Sequence, residues 1–542
     1  MFKTPFIKAF VFSIFPLTYY LIGYLNHARA GKIALIGVLL IGSLLALKPY
    51  FPESKKLKYI TFFTLLVLFV NMSFHAGLKD IFGVAQEENA IMAAIFSTDQ
   101  SESTEFVLHY RWYLIKHTVL CIALFTLYLR YVINTPLSSP SPRRQRWQLV
   151  VFLLLTTVIH LNPSLYRSNP FIYFPYYYNN WQEALRVTAR LVEELDANLK
   201  ISNLDLMTYT GDEEKKTVVL VIGESDTRHN WSLYGYDRKT TPQLDGMKDE
   251  LVVFENIHAA APATLVAFLH MLTPATIEEP ERWKTDPDIL LIAKHAGYHV
   301  TYISNHSTDA HKGIIKIFSE HGDEIIRTNR GKSRGEGSYD AILLAPFEKA
   351  LAANHDKKFI IVHMLGSHPA YNFRYPDSYS LFTDTYNDPV TLDLKEKGRA
   401  RWALTFRNLY DNSIVYGDMV RHRLIEILKN SKDAKHSAWL YLPDHGQDVC
   451  HNDNYSGHNY TAPEQWEIPM VFWSPSLEKV DPAIASRPYR VDLLDHTVLG
   501  LLGIEGIYYN ETNDIFSDRY IPTLKKNEVE NRKAENVAKT EN

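Results

Sequence analysis

Ala438-Trp439-Leu440-Tyr441-Leu442, followed at once by Pro443 and by Asp444-His445-Gly446, is an apolar run that ends in an acid, an imidazole and a glycine. The run reads as a buried strand. An Asp and a His side by side at a strand's carboxyl end commonly hold a divalent metal. The bland reading is a turn with a capping Asp. The choice between them rests on what the other strands of the chain end in.

Strand and helix alternate from about residue 215 to 520. Thr217–Ile222, His299–Ser304, Phe359–Leu365, Ser437–Leu442 and Ile468–Trp473 read as strands, with helices near 287–296 and 405–430 between them. Such alternation predicts an α/β domain with a mostly parallel central sheet flanked by helices. In such sheets the site forms beyond the carboxyl ends of the strands. There the sequence places Glu224, then Asn305 with Lys312 further on, then His368, then Asp444-His445, with His458 able to fold back over His445. Two carboxylates and an imidazole are three ligands for Zn2+ or Mn2+. A metal so held would lower the pKa of a hydroxyl in its fourth position. Thr264, in Ala261-Pro262-Ala263-Thr264-Leu265-Val266, is the candidate hydroxyl. Pro262 suits the first turn of a helix, which would put Thr264 near free N–H groups that favour a phosphate. An ordinary capping threonine is the alternative.

The first third of the chain has a different character. Apolar runs at 7–25, 33–51, 59–75, 113–133 and 147–162 each approach the ~20 residues that cross a bilayer core of about 30 Å. No small-residue cleavage site follows the first run, so it reads as an uncleaved span. Basic residues cluster before the first span (Lys3, Lys8), between the second and third (Lys48, Lys55, Lys56, Lys58) and between the fourth and fifth (Arg130, Arg143, Arg144, Arg146). The positive-inside rule then makes the N-terminus cytoplasmic and puts everything after about 163 on the far side. The expected organisation is a five-helix transmembrane domain over 1–163 with a far-side loop at 76–112, and an aromatic bridge with interfacial helices over 164–210. A far-side catalytic domain over 211–523, periplasmic in a Gram-negative cell and extracellular otherwise, and a disordered tail over 524–542 complete it.

With 61 acidic against 57 basic residues and a net charge of -4, no basic field suggests a nucleic-acid partner. Two cysteines, Cys121 and Cys450, fall at different depths and are not expected to pair.

Val219-Leu220-Val221-Ile222-Gly223-Glu224-Ser225, with Ser232-Leu233-Tyr234-Gly235-Tyr236 and Thr240-Thr241-Pro242, resembles the opening of the phosphoethanolamine transferases, in the sulfatase and alkaline phosphatase superfamily. Ala263-Thr264, Gly366-Ser367-His368-Pro369, Tyr410-Asp411-Asn412-Ser413, Asp444-His445-Gly446 and Ala462-Pro463-Glu464-Gln465 follow in the family's order. The resemblance covers nearly the whole chain. It implies that Glu224, Thr264, Asp444 and His445 are the metal ligands, usually of zinc, and that Thr264 is the nucleophile. It implies that His368 and His458 lie near the transferred group or a second divalent metal, that Lys312 binds phosphate, and that Thr98 and Glu102 meet the ethanolamine head group. Ala94 stands where the family commonly has Asn, which alters the expected head-group contacts. The implied protein is an enzyme of the bacterial inner membrane, expected as a monomer. It would take phosphoethanolamine from phosphatidylethanolamine and pass it to lipopolysaccharide, on lipid A or a core sugar. A lipoteichoic-acid-type phosphoglycerol transferase and a non-catalytic membrane-anchored binding protein are the alternatives. The absence of a Cys-x-Pro-x-Arg sequence at Thr264 disfavours a sulfatase.

Overall fold

The computed structural model describes residues 27–51, 53–82, 107, 111–134, 142–199, 204–306, 319–329, 339–369, 371–385, 387–459 and 461–522. The chain divides into two compact units, with the boundary between Ala184 and Leu185.

The first unit is helical, with helices His27–Leu47, Lys55–Phe82, Arg111–Asn134 and Pro142–Ile159. Two of the described segments, Gly31–Tyr50 and Lys55–Gly77, are long and apolar enough to cross a membrane, with mean hydropathies of 2.0 and 1.7. Arg146–Ile159 is apolar but shorter. The expected span at 7–25 lies outside the described residues. Leu39, Leu45, Leu65, Leu68, Phe69 and Phe152 form a buried cluster among these helices. The aromatic bridge, expected over 164–210, carries the helix Pro170–Leu199, which takes in Pro175. Pro170 stands in the opening turn, where the N–H groups have no partner in any case, whereas Pro175 lies past that turn and removes one backbone hydrogen bond. Tyr173 and Tyr177, four apart on one helical face, are buried edge to face with ring centroids 4.7 Å apart.

The second unit is built on a seven-stranded sheet. Its strands are β1 (Lys216–Gly223), β2 (Val252–Phe254), β3 (His299–Ser304), β4 (Glu324–Arg327), β5 (Lys357–His363), β6 (Ser437–Pro443) and β7 (Met470–Trp473), in the spatial order β2-β7-β6-β1-β5-β3-β4. The sheet is mixed rather than mostly parallel. β7 runs antiparallel to both β6 and β2, while the ladders joining β6, β1, β5, β3 and β4 are parallel. The prediction erred because alternation alone does not orient β7, the one reversed strand, which lies between β6 and the edge strand β2.

The central strands are buried on both faces, which explains their unbroken apolar runs. Val218, Leu220, Ile222, Leu440 and Leu442 face a core shared with helices Thr264–Leu272, Ile289–His295 and Leu494–Leu502. The opposite face meets the helix Arg401–Lys429, whose Arg421 donates a hydrogen bond to the Tyr441 hydroxyl at 3.1 Å.

Register decides where the site falls. Ile222 on β1 stands opposite His363 on β5 and Leu442 on β6, and Gly223 stands opposite Pro443. Ser304 on β3 stands opposite His363. The residues that follow these strands therefore emerge side by side along one edge of the sheet.

Candidate metal and nucleophile centre

Glu224 leaves β1, and Asp444-His445 leave β6; all three are buried. Ser225 links them. Its backbone is in the left-handed region, at φ 59°, a conformation uncommon outside glycine. In that conformation its N–H donates to Asp444 Oδ1 at 3.1 Å and its hydroxyl donates to Glu224 Oε1 at 2.7 Å. The Tyr410 hydroxyl, on the long helix, donates to the Ser225 carbonyl at 2.7 Å and accepts from the Thr227 N–H at 3.0 Å. Gly366, at φ 52°, passes so close to Glu224 that an added Cβ would sit 2.7 Å from the Glu224 carbonyl oxygen.

Asp444 Oδ1 also accepts the His445 N–H at 2.7 Å, while Asp444 Oδ2 is buried with no hydrogen-bond partner. His445 Nε2 lies 3.4 Å from that orphan oxygen and 3.6 Å from Glu224 Oε1. His445 Nδ1 donates to the Gly446 carbonyl at 2.8 Å, which leaves the Nε2 lone pair facing the carboxylates. Ligand atoms of Glu224, Asp444 and His445 all lie within 4.8 Å of one another. Burial, and after it the Asp444 carboxylate, hold the Glu224 pKa well above the ordinary carboxylate range. Two buried acids, an orphan oxygen and an imidazole nitrogen turned toward them form a donor set that suits a divalent cation.

Thr264 opens the helix Thr264–Leu272, and Ala263 is the capping residue. The capping-threonine reading is thus displaced, and Pro262 lies before the cap rather than in the first turn. The Thr264 hydroxyl turns to the acids instead: it lies 3.4 and 3.2 Å from the two Glu224 oxygens and 3.3 Å from His445 Nε2. It is only half-buried, so a substrate can reach it.

The other expected residues fall as follows. The His458 ring packs edge-on to His445, centroids 4.8 Å apart, and hydrogen-bonds the Pro262 carbonyl, while its Nδ1 is buried without a partner. His368 lies near His458 and His445, and Arg374 donates to its carbonyl at 3.3 Å. Burial pushes both imidazoles down to about 3, helped at His368 by Arg374 and His458 and at His458 by His445. Lys312, Thr98, Glu102 and Ala94 lie outside the described residues. His363 is a packed residue on Phe268, its Nδ1 2.9 Å from the Tyr302 hydroxyl.

Two further groups among the described residues have metal-like spacing. In the first, Glu224 with His306 and His363, the two rings stack face to face at 3.8 Å, which turns their in-plane lone pairs side by side rather than toward one point. In the second, Asp448 with His451 and Glu464, the donor atoms are engaged by neighbours: Asn459 donates to Asp448, the Val449 N–H to His451 Nδ1, and Asn452 to Glu464. Sequence reasoning gave no role to Ser225, Tyr410 or Gln465, although each stands in a quoted motif. Their hydrogen bonds join loops that are distant in sequence, which periodicity cannot register.

The architecture is that of an alkaline-phosphatase-like α/β domain. A family model described as Sulfatase matches residues 216–504. The chain is similar to phosphoethanolamine transferase EptC of Escherichia coli, 28% identical over 528 residues covering 90% of this chain and 87% of that one. It is also similar to phosphoethanolamine transferase CptA of Salmonella typhimurium, 30% identical over 473 residues covering 80% and 78%. Among solved structures, a zinc complex of the C-terminal periplasmic domain of EptC from Escherichia coli superposes with a TM-score of 0.54 at 31% identity, covering 58% of this chain and 90% of that one. The integral membrane protein EptA from Neisseria meningitidis shares the fold over 94% of this chain and 97% of its own, with a TM-score of 0.59 at 21% identity. The chain belongs to the sulfatase family and, within it, to the phosphoethanolamine transferases.

Proposed function

We propose that this enzyme moves phosphoethanolamine from phosphatidylethanolamine to lipopolysaccharide, on lipid A or a core sugar, by way of a phosphoethanolamine ester on Thr264. What carries the reading is Asp444 Oδ2, a buried carboxylate oxygen with no partner, facing His445 Nε2 at 3.4 Å beside a hydroxyl. Glu224, Asp444, His445 and the Thr264 oxygen would hold the metal, with zinc favoured over manganese by the mixed nitrogen and oxygen donors. When bound, it supplies Lewis-acid stabilisation of phosphoryl charge and eases ionisation of a hydroxyl.

In the first half-reaction Thr264 Oγ bonds to phosphorus and the bond from phosphorus to the glycerol oxygen breaks. The threonine proton passes to solvent, and His458 or His368 is assigned to supply a proton to the departing diacylglycerol oxygen. In the second half an acceptor oxygen bonds to phosphorus and the bond to Thr264 Oγ breaks. Lys312 is assigned to the phosphate, Thr98 and Glu102 to the head group, and His368 with His458 to the surroundings of the transferred group or a second divalent metal.

The same reading gives a monomer with five spans, a cytoplasmic N-terminus and a catalytic domain in the periplasm. Both lipids are then confined to one membrane, and an anchored enzyme meets them in two dimensions. The test has two arms. Mass spectrometry of protein incubated with donor alone should find one phosphoethanolamine on the peptide bearing Thr264, and none in Thr264→Ala. Lipid A and core oligosaccharide from cells lacking the protein should lose the same mass. A Thr264→Ala protein with full activity sinks the proposal.

A further inference from the structure

Gln465 is fully buried at the short helix Pro463–Trp466, and both ends of its amide are in use. Nε2 donates to the Gly446 carbonyl at 2.7 Å and to the Pro262 carbonyl at 3.2 Å, while Oε1 accepts the Asn459 N–H at 3.0 Å. The partners fix which end is which, because two are carbonyls that only accept and the third is an N–H that only donates. Pro262 lies two residues before Thr264, Gly446 one after His445, and Asn459 one after His458. The Gly446 carbonyl also receives His445 Nδ1 at 2.8 Å, the bond that turns Nε2 toward the acids. The Pro262 carbonyl also receives His458. The backbone repeats the tie, with the Gly446 N–H on the Gln465 carbonyl at 3.0 Å.

We propose that Gln465 is a positioning residue for the transfer: one side-chain amide holds the nucleophile's loop, the Asp444–Gly446 loop and the His458 loop at a fixed spacing. The inference rests on the reading of Thr264, Asp444 and His445 given above. No other uncharged side chain matches all three bonds. Glu at this position keeps the shape but sets an acceptor against two carbonyls, and Met keeps the length but bonds to none of the three.

The test uses the intact protein in detergent with variants Gln465→Glu and Gln465→Met. Zinc affinity is measured by competition with a chelator, and kcat and KM for the lipid donor at saturating zinc. Both variants should bind zinc about 10–100-fold more weakly, as is usual when a ligand's outer partner is removed. At saturating zinc kcat should fall about tenfold or more with KM within about twofold, because the nucleophile is misplaced while lipid binding is not. The inference is overturned if zinc affinity and kcat match the wild type. It is also overturned if both fall only in step with a lower Tm of the metal-free variants, which makes the role structural. Wild-type protein that takes up no zinc overturns the metal reading itself, before the variants are compared.

Discussion

Replacing Glu224 by Gln is expected to reverse the stability order of the protein according to whether zinc is present. The ligand atoms of Glu224, Asp444 and His445 lie within 4.8 Å of one another, a separation at which two unit negative charges repel by about 3 kcal/mol at an effective dielectric of ~20. Glu224 already avoids part of this by protonation, since burial and Asp444 raise its pKa. The sign follows: a carboxyl raised in the folded state binds its proton there while the unfolded chain has lost it. Metal-free wild type therefore loses stability as pH climbs from the unfolded pKa toward the folded one. Metal-free E224Q has no such loss and should be more stable at neutral pH by about 1–2 kcal/mol. Zinc at a hundred times its Kd adds about 2.7 kcal/mol to whichever protein binds it. At roughly 2–4 °C per kcal/mol, zinc should raise the wild-type Tm by about 5–11 °C and leave E224Q almost unmoved. The assay is calorimetry of chelator-stripped protein before and after zinc is restored. An equal rise in both proteins refutes Glu224 as a ligand. A metal-free E224Q less stable than wild type refutes the crowded-carboxylate account.

Other outcomes can be checked alongside. Asp495 is buried, and burial pushes its pKa up to about 8 against the opposing hydrogen bond from the His496 backbone. Its sign is that of Glu224, so wild-type stability should decline between about pH 4 and pH 8, and Asp495→Asn should flatten that slope in denaturant titrations at several pH values. Gly446→Ala should abolish activity and lower Tm by several degrees, because a Cβ there would collide with the Glu464 carbonyl. Tyr410→Phe removes the bonds to Ser225 and Thr227 and should cost about 1–3 kcal/mol in denaturant unfolding, together with weaker zinc uptake.

The parts of the site legible in the sequence were those that ride directly on strands. Glu224, Asp444 and His445 each stand two or three residues past an apolar run, so placing the strands places the side chains. Thr264 was legible as a residue type beside a proline, though the cap at Ala263 was not. The sheet was read less fully. β4 begins and ends on charged residues and β2 is three residues long, so neither shows a period, and the reversal of β7 is a property of chain path rather than of composition. Ser225 and Gln465 were invisible for another reason. Gln465 bonds to main-chain atoms of other loops, Ser225 works largely through its own N–H and carbonyl, and a main-chain group leaves no mark in the identity of the residue that carries it.

The in-register central strands raise a question of fidelity. β1 and β6 are buried on both faces, so sliding one past the other by a single residue would still bury apolar surface, although it would carry Tyr441 away from Asp226 and Arg421. What such a slip cannot preserve is the meeting of the Ser225 N–H with Asp444 Oδ1, or of the Asp444 N–H with the Gly223 carbonyl at 3.2 Å. The polar residues at the sheet's edge thus act as an alignment key for the strands that carry them. A chain that folded out of step would bury its hydrophobic groups almost as well, yet leave Asp444 and the backbone around it unpartnered, and so would be both inactive and selectively unstable.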